Sequence, residues 1–384
     1  MVKRNKYMNV PEIRFKGLDK TWNKKTLDEL VQLNSGMDYK HLCNWNIPVY
    51  GTGGYMLSVN AALSYDKDAI GIGRKGTINK PYILKAPFWT VDTLFYAIPR
   101  KYNNLQFCNC IFQRIDWLKY DESTGVPSLS KNIINSIEVN CAPSYDEQQK
   151  IASYFQSLDS LIQTTSKKLV SLKQRKDASL QSMFPQEGET VPKVRFKGFE
   201  GEWEKIPFGS FLKESYERST VENEDILLSS AITGVYLNSE LFGHQRGASN
   251  IGYKKIKKNM LILSTQNLHL GNANVNLRFE HGLISPAYKV YEIVNISPLF
   301  LQQWIKMDST KVFFLNATTA GASLCRKNIV WDDLYKQIVL IPSKNEQVKI
   351  GLFFSNLDKQ ISLQTQRLEK LKQIKAACLD KMFV

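Results

Sequence analysis

Two glycine-rich stretches in the first half of the chain bring backbone amides and cations together. They are Tyr50-Gly-Thr-Gly-Gly-Tyr55, and Gly71-Ile-Gly-Arg74-Lys75-Gly76 with Asn79, Lys80 and Lys85 close behind. Glycine lets main-chain N–H groups approach an oxyanion and a neighbouring cation neutralises it, so the chemistry on offer is phosphate contact. Arg74 adds a planar fork that fits the O6/N7 edge of guanine. In the second half, Tyr253 is followed by Lys254, Lys255, Ile256, Lys257 and Lys258, a run that suits phosphates and equally a solvated face. His244-Gln245-Arg246, and Gln266-Asn267 with His269, carry side chains able to read base edges. Lys131-Asn132 and Arg326-Lys327-Asn328 stand in matching places ahead of the last strand of each half, which fits either shared backbone contacts or a shared fold position.

Other chemistries fail on spacing. The 71–76 loop matches G-x-G-x-x-G, yet Thr77-Ile-Asn-Lys-Pro81 follows where a dinucleotide fold needs a helix. There is no Walker A loop. His41, His244, His269 and His281 lie far apart, and Cys108-Asn-Cys110 lacks the second half of a zinc site. Asp66, Asp68, Asp332 and Asp333 sit in no nuclease-like motif, and the Pro-Pro dipeptide of adenine methyltransferases is absent. The expectation is a chain with no catalytic residues, no metal and no cofactor of its own.

The bulk numbers agree with a polyanion binder. The 384 residues are 43% hydrophobic and 11% aromatic, enough for about two ordinary domains, and carry a net charge of +15. The charge fits nucleic acid or an anionic membrane, but no run approaches the ~20 apolar residues of a span and Met1 to Val10 carry no signal-peptide core. A cytoplasmic protein whose six scattered cysteines stay reduced is expected.

The elements that position these residues are written twice. Val10-Pro-Glu-Ile-Arg14-Phe-Lys-Gly17 with Trp22 returns 181 residues later as Val191-Pro-Lys-Val-Arg195-Phe-Lys-Gly198 with Trp203. The segment from Pro143-Ser144 and Glu147-Gln148 to Met183-Phe184 returns after 199 residues, from Pro342-Ser343 and Glu346-Gln347 to Met382-Phe383. Between them, roughly 23 to 142 and 204 to 341 barely resemble each other: fixed ends bracket variable middles. Each later segment opens with Ser-x-x-Glu, a capping box that starts a helix. Ile151, Phe155, Leu158, Ile162, Leu169 and Leu172 then follow a heptad seam, matched by Ile350, Phe354, Leu357, Ile361, Leu368 and Leu371, with Thr165 and Lys176 facing the same levels as Gln364 and Lys375. Antiparallel pairing of the two helices makes a bar related by an approximate two-fold axis, with a head at each end. About 36 paired residues at ~1.5 Å span roughly 54 Å, or about 16 base-pair steps of ~3.4 Å.

This layout resembles the specificity subunits of type I restriction-modification enzymes, over the whole chain. Thr124-Gly125 before Ser128-Leu129, and Thr319-Ala-Gly321 before Ser323-Leu324, add to the likeness. The expected fold is α/β (α+β) in two repeats: target-recognition domains at 1–143 and 191–342, long antiparallel coiled-coil helices at 144–185 and 343–384, and a linker at 186–190. The resemblance implies that each domain reads one half of a bipartite duplex DNA site. It also implies that the helices dock two modification (methyltransferase) subunits and that restriction subunits join them. S-adenosylmethionine, ATP and magnesium are then expected in those partners. It transfers no base-contacting residue, because the family's variable domains diverge too far. Two rivals remain: a structural coiled-coil protein with incidental basic charge, and a self-sufficient nuclease or methyltransferase.

Overall fold

A computed structural model describes residues 9–242, 249–323 and 326–384, with the side chains of 320–323 and Arg326 left aside. The chain divides into two compact units, one of Met1–Lys167 with Thr365–Val384 and the other of Lys168–Gln364. Both units draw on both long helices, Tyr145–Met183 and Lys344–Lys381.

In the first unit, Asn23–Thr26 pairs antiparallel with Glu138–Cys141, so the entry and exit of the variable segment lie side by side. Between them an antiparallel sheet runs in the order Val31–Ser35, Leu94–Pro99, Ala69–Gly73, Tyr82–Leu84. A second sheet joins Gly54–Val59, Asn44–Gly51 and Trp89–Thr90, the last pair parallel. Ala69–Gly73 is buried at every position because it is covered on both faces. Ile70 and Ile72 meet the core that includes Phe107 and Ile111 of the helix Leu105–Arg114, while Ala69 joins Leu84, Phe88 and Tyr96. The apolar run from Ile134 reads as one strand in the sequence. It is split instead: Lys131–Ser136 is a helix capped by Ser130, and only Glu138–Cys141 is strand.

The second unit repeats the plan with unrelated residues. Glu204–Pro207 pairs with Ile338–Ile341, and its main sheet runs Leu212–Glu214, Tyr288–Ile293, Leu261–Ser264, Ala273–Val275, the same order as its counterpart. The other sheet is Gly234–Leu237, Leu227–Ala231, His281–Ile284, Lys254–Lys257. A hairpin of Thr318–Ser323 and Arg326–Ile329 precedes the helix Trp331–Lys336.

The long helices follow the heptad seam. Ile151, Phe155, Leu158, Thr165, Leu169 and Leu172 are buried, as are Ile350, Phe354, Leu357 and Leu368, with Ile162, Ile361 and Leu371 half-buried. Contacts inside each unit run in opposite chain directions, which makes the helices antiparallel. In the first unit Tyr154 Oη meets Cys378 Sγ at 3.3 Å and Asp159 meets Lys375 at 2.6 Å. In the second Lys176 meets Asp358 at 2.6 Å and Phe184 packs on Phe354. The lysine levels of the seam are therefore cross-helix ion pairs, and each aspartate also accepts from a glutamine, Gln106 on Asp159 and Gln303 on Asp358.

The repeated motifs meet in each unit. Arg14 donates to both carboxylate oxygens of Glu147 (Nε at 2.7 Å, Nη2 at 2.8 Å) and Trp22 Nε1 donates to the same group at 3.1 Å. Arg195 grips Glu346 in the same way at 2.9 and 2.7 Å. Only half of the expected capping box forms: Ser144 Oγ accepts from Glu147 N–H, while the Glu147 carboxylate is turned to Arg14. A guanidinium outcompetes a neutral N–H for a buried carboxylate. The Met-Phe ends are anchors as well. Phe383 contacts Trp22, Phe107 and Phe155 in the first unit, and Phe184 contacts Trp203, Phe300 and Phe354 in the second.

Candidate nucleic-acid interface

In the first unit the strand Ala69–Gly73 delivers the 74–76 loop to the surface. A side chain at Gly73 would lie 2.2 Å from the Thr77 carbonyl oxygen, and Gly76 has φ +89°, so both glycines are required by the turn itself. The loop is clamped on both sides. Arg74 and Lys75 N–H donate to Thr93 O, Gly76 N–H to Pro127 O, and Leu129 N–H to Arg74 O. No helix follows within 74–81, in keeping with the loss of the dinucleotide reading. The Arg74 guanidinium stands over the Phe95 ring and donates to Asp92 O at 3.4 Å.

Arg74 and Lys75, with Lys131 from a separate stretch, line one cavity of about 460 Å³. Asp92, Glu122 and Ser130 also line it. The far wall is held by Asp121, whose carboxylate accepts from Ser128 N–H, Ser123 N–H and Ser123 Oγ; those bonds hold its pKa below the usual range. Lys131 is the first residue of the Ser130-capped helix. Asn79 and Lys80 are exposed beyond the loop. The 50–55 loop is the turn of a hairpin and a neighbour of the first: Thr52 Oγ1 lies 3.9 Å from the Cβ position of Gly76. Tyr55 and Met56 are exposed at its tip. Sequence reasoning missed Asp92, Glu122 and Ser130, since single polar residues carry no periodic signal; only the Thr124-Gly125 motif before Ser128 pointed at this wall.

The cation run of the second unit has a different character. Lys254–Lys257 is a strand, with Lys254 buried and its pKa lowered by that burial. Lys255 pairs with Glu224, Lys257 with Glu217 at 3.3 Å and Lys258 with Glu280 at 2.5 Å. The run is thus charge-matched rather than a free phosphate-binding patch. Asn267 begins the turn Leu268–Leu270, and His269 there is buried, its pKa lowered by desolvation and then by Lys327. Gln245 and Arg246, with His244, lie outside the described residues, as does the side chain of Arg326. The two Lys-Asn pairs are not equivalent: Lys131 opens a helix, whereas Lys327 sits on a strand ahead of the helix Trp331–Lys336, with its N–H on Gln266 O at 3.5 Å.

The remaining candidates are structural. Cys108 and Cys110 are buried on the helix Leu105–Arg114, and burial pushes the Cys110 thiol up to about 12. Asp68 binds Lys85 and Ala86 N–H, and Asp332 and Asp333 occupy the first turn of a helix. Among the described residues no group of three or more His, Cys, Asp or Glu could hold a metal, and no helix is long and apolar enough to cross a membrane.

The chain holds two divergent sheet domains, each mounted on a copy of one duplicated framework. Residues 19–174 match the family model described as type I restriction modification DNA specificity domain. Over its length the chain has the fold of the type I restriction-modification S subunit from M. genitalium, with TM-score 0.65 and 15% identity, covering 98% of this chain and 99% of that one. The HsdS subunit from Thermoanaerobacter tengcongensis is a looser likeness, TM-score 0.42 at 15% identity over 94% and 96% of the two chains. No curated protein matches. The likeness read from the repeats thus meets a specificity-domain match over residues 19–174 and, along the chain, the fold of that S subunit.

Proposed function

We propose that this chain is the sequence-reading subunit of a type I restriction-modification complex, binding a bipartite duplex site with one domain per half-site. The observation that carries this reading is the duplicated frame. Arg14–Glu147 and Arg195–Glu346 hold the same joint in both units, while the main sheets mounted on it share strand order but not sequence. A constant frame with interchangeable readers is what two independent half-site specificities require. The chain itself is non-catalytic in this reading. Two methyltransferase subunits dock on the long helices and restriction subunits complete the assembly. Those partners supply S-adenosylmethionine, ATP and magnesium, and an adenine near each half-site is flipped for methylation.

Co-expression with a candidate modification subunit, followed by genome-wide methylation mapping with and without this chain, tests the proposal. A split motif that depends on the chain supports it; a stable complex that methylates no motif favours a structural role for the helices.

A further inference from the structure

The cavity of the first unit has a composition that simple phosphate binding does not explain. Arg74, Lys75 and Lys131 share its lining with Asp92 and Glu122, yet among the described residues none of the five forms an ion pair within 4.0 Å. Both carboxylates are exposed. On a surface that meets a polyanion, an unpaired carboxylate repels phosphate and weakens binding, unless it accepts a hydrogen bond from the nucleic acid. In the major groove the groups that can donate to it are the amino groups of cytosine and adenine. Arg74, for its part, needs two adjacent acceptors for its fork, and guanine N7 and O6 provide them on one edge. The base pair that offers both patterns together is G·C.

The geometry is prepared for such reading. The Arg74 side chain is stacked on Phe95 and tied to Asp92 O, and its backbone is fixed by Thr93 and Leu129, so little ordering is left for the moment of binding. We propose that this cavity reads a G·C pair of the first half-site through both partners: Arg74 grips guanine O6 and N7, and Asp92 or Glu122 accepts from cytosine N4. Lys75 and Lys131 bind the flanking phosphates. The assignment rests on the DNA-reading function proposed above and adds the base pair and the residues that choose it.

The test is selection of bound duplexes from a randomised DNA pool by the full-length chain together with its modification subunit, using wild type, Arg74→Ala, Arg74→Lys, the double variant Asp92→Asn/Glu122→Gln, and Lys75→Ala. The wild type is expected to enrich a split motif. Arg74→Ala should lose about 10- to 100-fold of its preference at one G·C position and keep the rest of the motif. Arg74→Lys retains overall affinity while that position relaxes, and the double carboxyl variant relaxes the same position. Lys75→Ala weakens all sequences alike and lowers the salt slope by about one. A motif left intact by Arg74→Ala and Arg74→Lys, or a relaxed position that is A·T, overturns the assignment while leaving the DNA-reading function standing. Failure of the wild type to enrich any sequence overturns both.

Discussion

Removing Glu147 should cost far more than removing an ordinary surface acid. Its side chain is 1% exposed and that of Arg14 10%, and the guanidinium holds both carboxylate oxygens while Trp22 binds one of them. Glu147→Ala leaves a mostly buried guanidinium without its counter-charge and an indole N–H without its acceptor, for which about 3–5 kcal/mol is expected. The pair Lys24–Glu138 supplies the contrast, with side chains 69% and 65% exposed; Glu138→Ala should stay within about 1 kcal/mol. Urea unfolding gives the magnitudes, and hydrogen exchange read by mass spectrometry assigns the loss to the first unit, around 9–26 and 138–151. Arg14→Met with Glu147→Met should recover much of the loss, because the penalty comes from the orphaned charge rather than from an intrinsically strong bond. A Glu147→Ala cost below about 1 kcal/mol, or a double variant worse than the sum of its singles, would refute the reasoning. Glu346→Ala should have the same kind of effect in the second unit but a smaller one, because Trp203 Nε1 does not bond to Glu346 and only the guanidinium is orphaned.

The seam ion pairs are partly exposed, so Lys176→Glu against Asp358 should lower stability by only about 1 kcal/mol, and adding Asp358→Lys should restore most of it in thermal melts. Gly73→Ala places a methyl against the Thr77 carbonyl and should cost about 1–3 kcal/mol, whereas Gly76→Ala, at φ +89°, should cost about 1–2 kcal/mol; thermal denaturation distinguishes them. Burial lowers the His269 pKa, so the folded state binds fewer protons than the unfolded chain. Stability is therefore full above the unfolded value near 6.5 and falls as pH drops below it. His269→Phe should flatten the loss between pH 7 and 5 in urea titrations, and an unchanged slope would count against this account.

The frame was legible because it is local and written twice. The heptad spacing from Ile151 to Leu172 reports a helix face directly, and its copy removes ambiguity. What the sequence concealed depends on distance along the chain. Glu147 looked like a capping residue because its arginine is 133 residues away. Lys255 and Lys257 looked like a free basic patch because Glu224 and Glu217 precede them by 31 and 40 residues. The cavity was half visible: the glycines announced the Arg74 loop, but Asp92 joins it through the pairing of Leu94–Pro99 with Ala69–Gly73, and Glu122 through a loop bonded to Ser128, neither of which local spacing announces.

The position of Phe383 also governs the order in which this protein can mature. The first unit needs the segment Thr365–Val384, whose Met382 and Phe383 sit in the same core as Trp22 and Phe107. A nascent chain emerging from the ribosome therefore carries its first unit open until those residues arrive, while the second unit, Lys168–Gln364, is a continuous stretch that can close earlier. The unit synthesised first is completed last. Chaperone demand and early proteolytic nicking should thus concentrate on the amino-terminal half during synthesis.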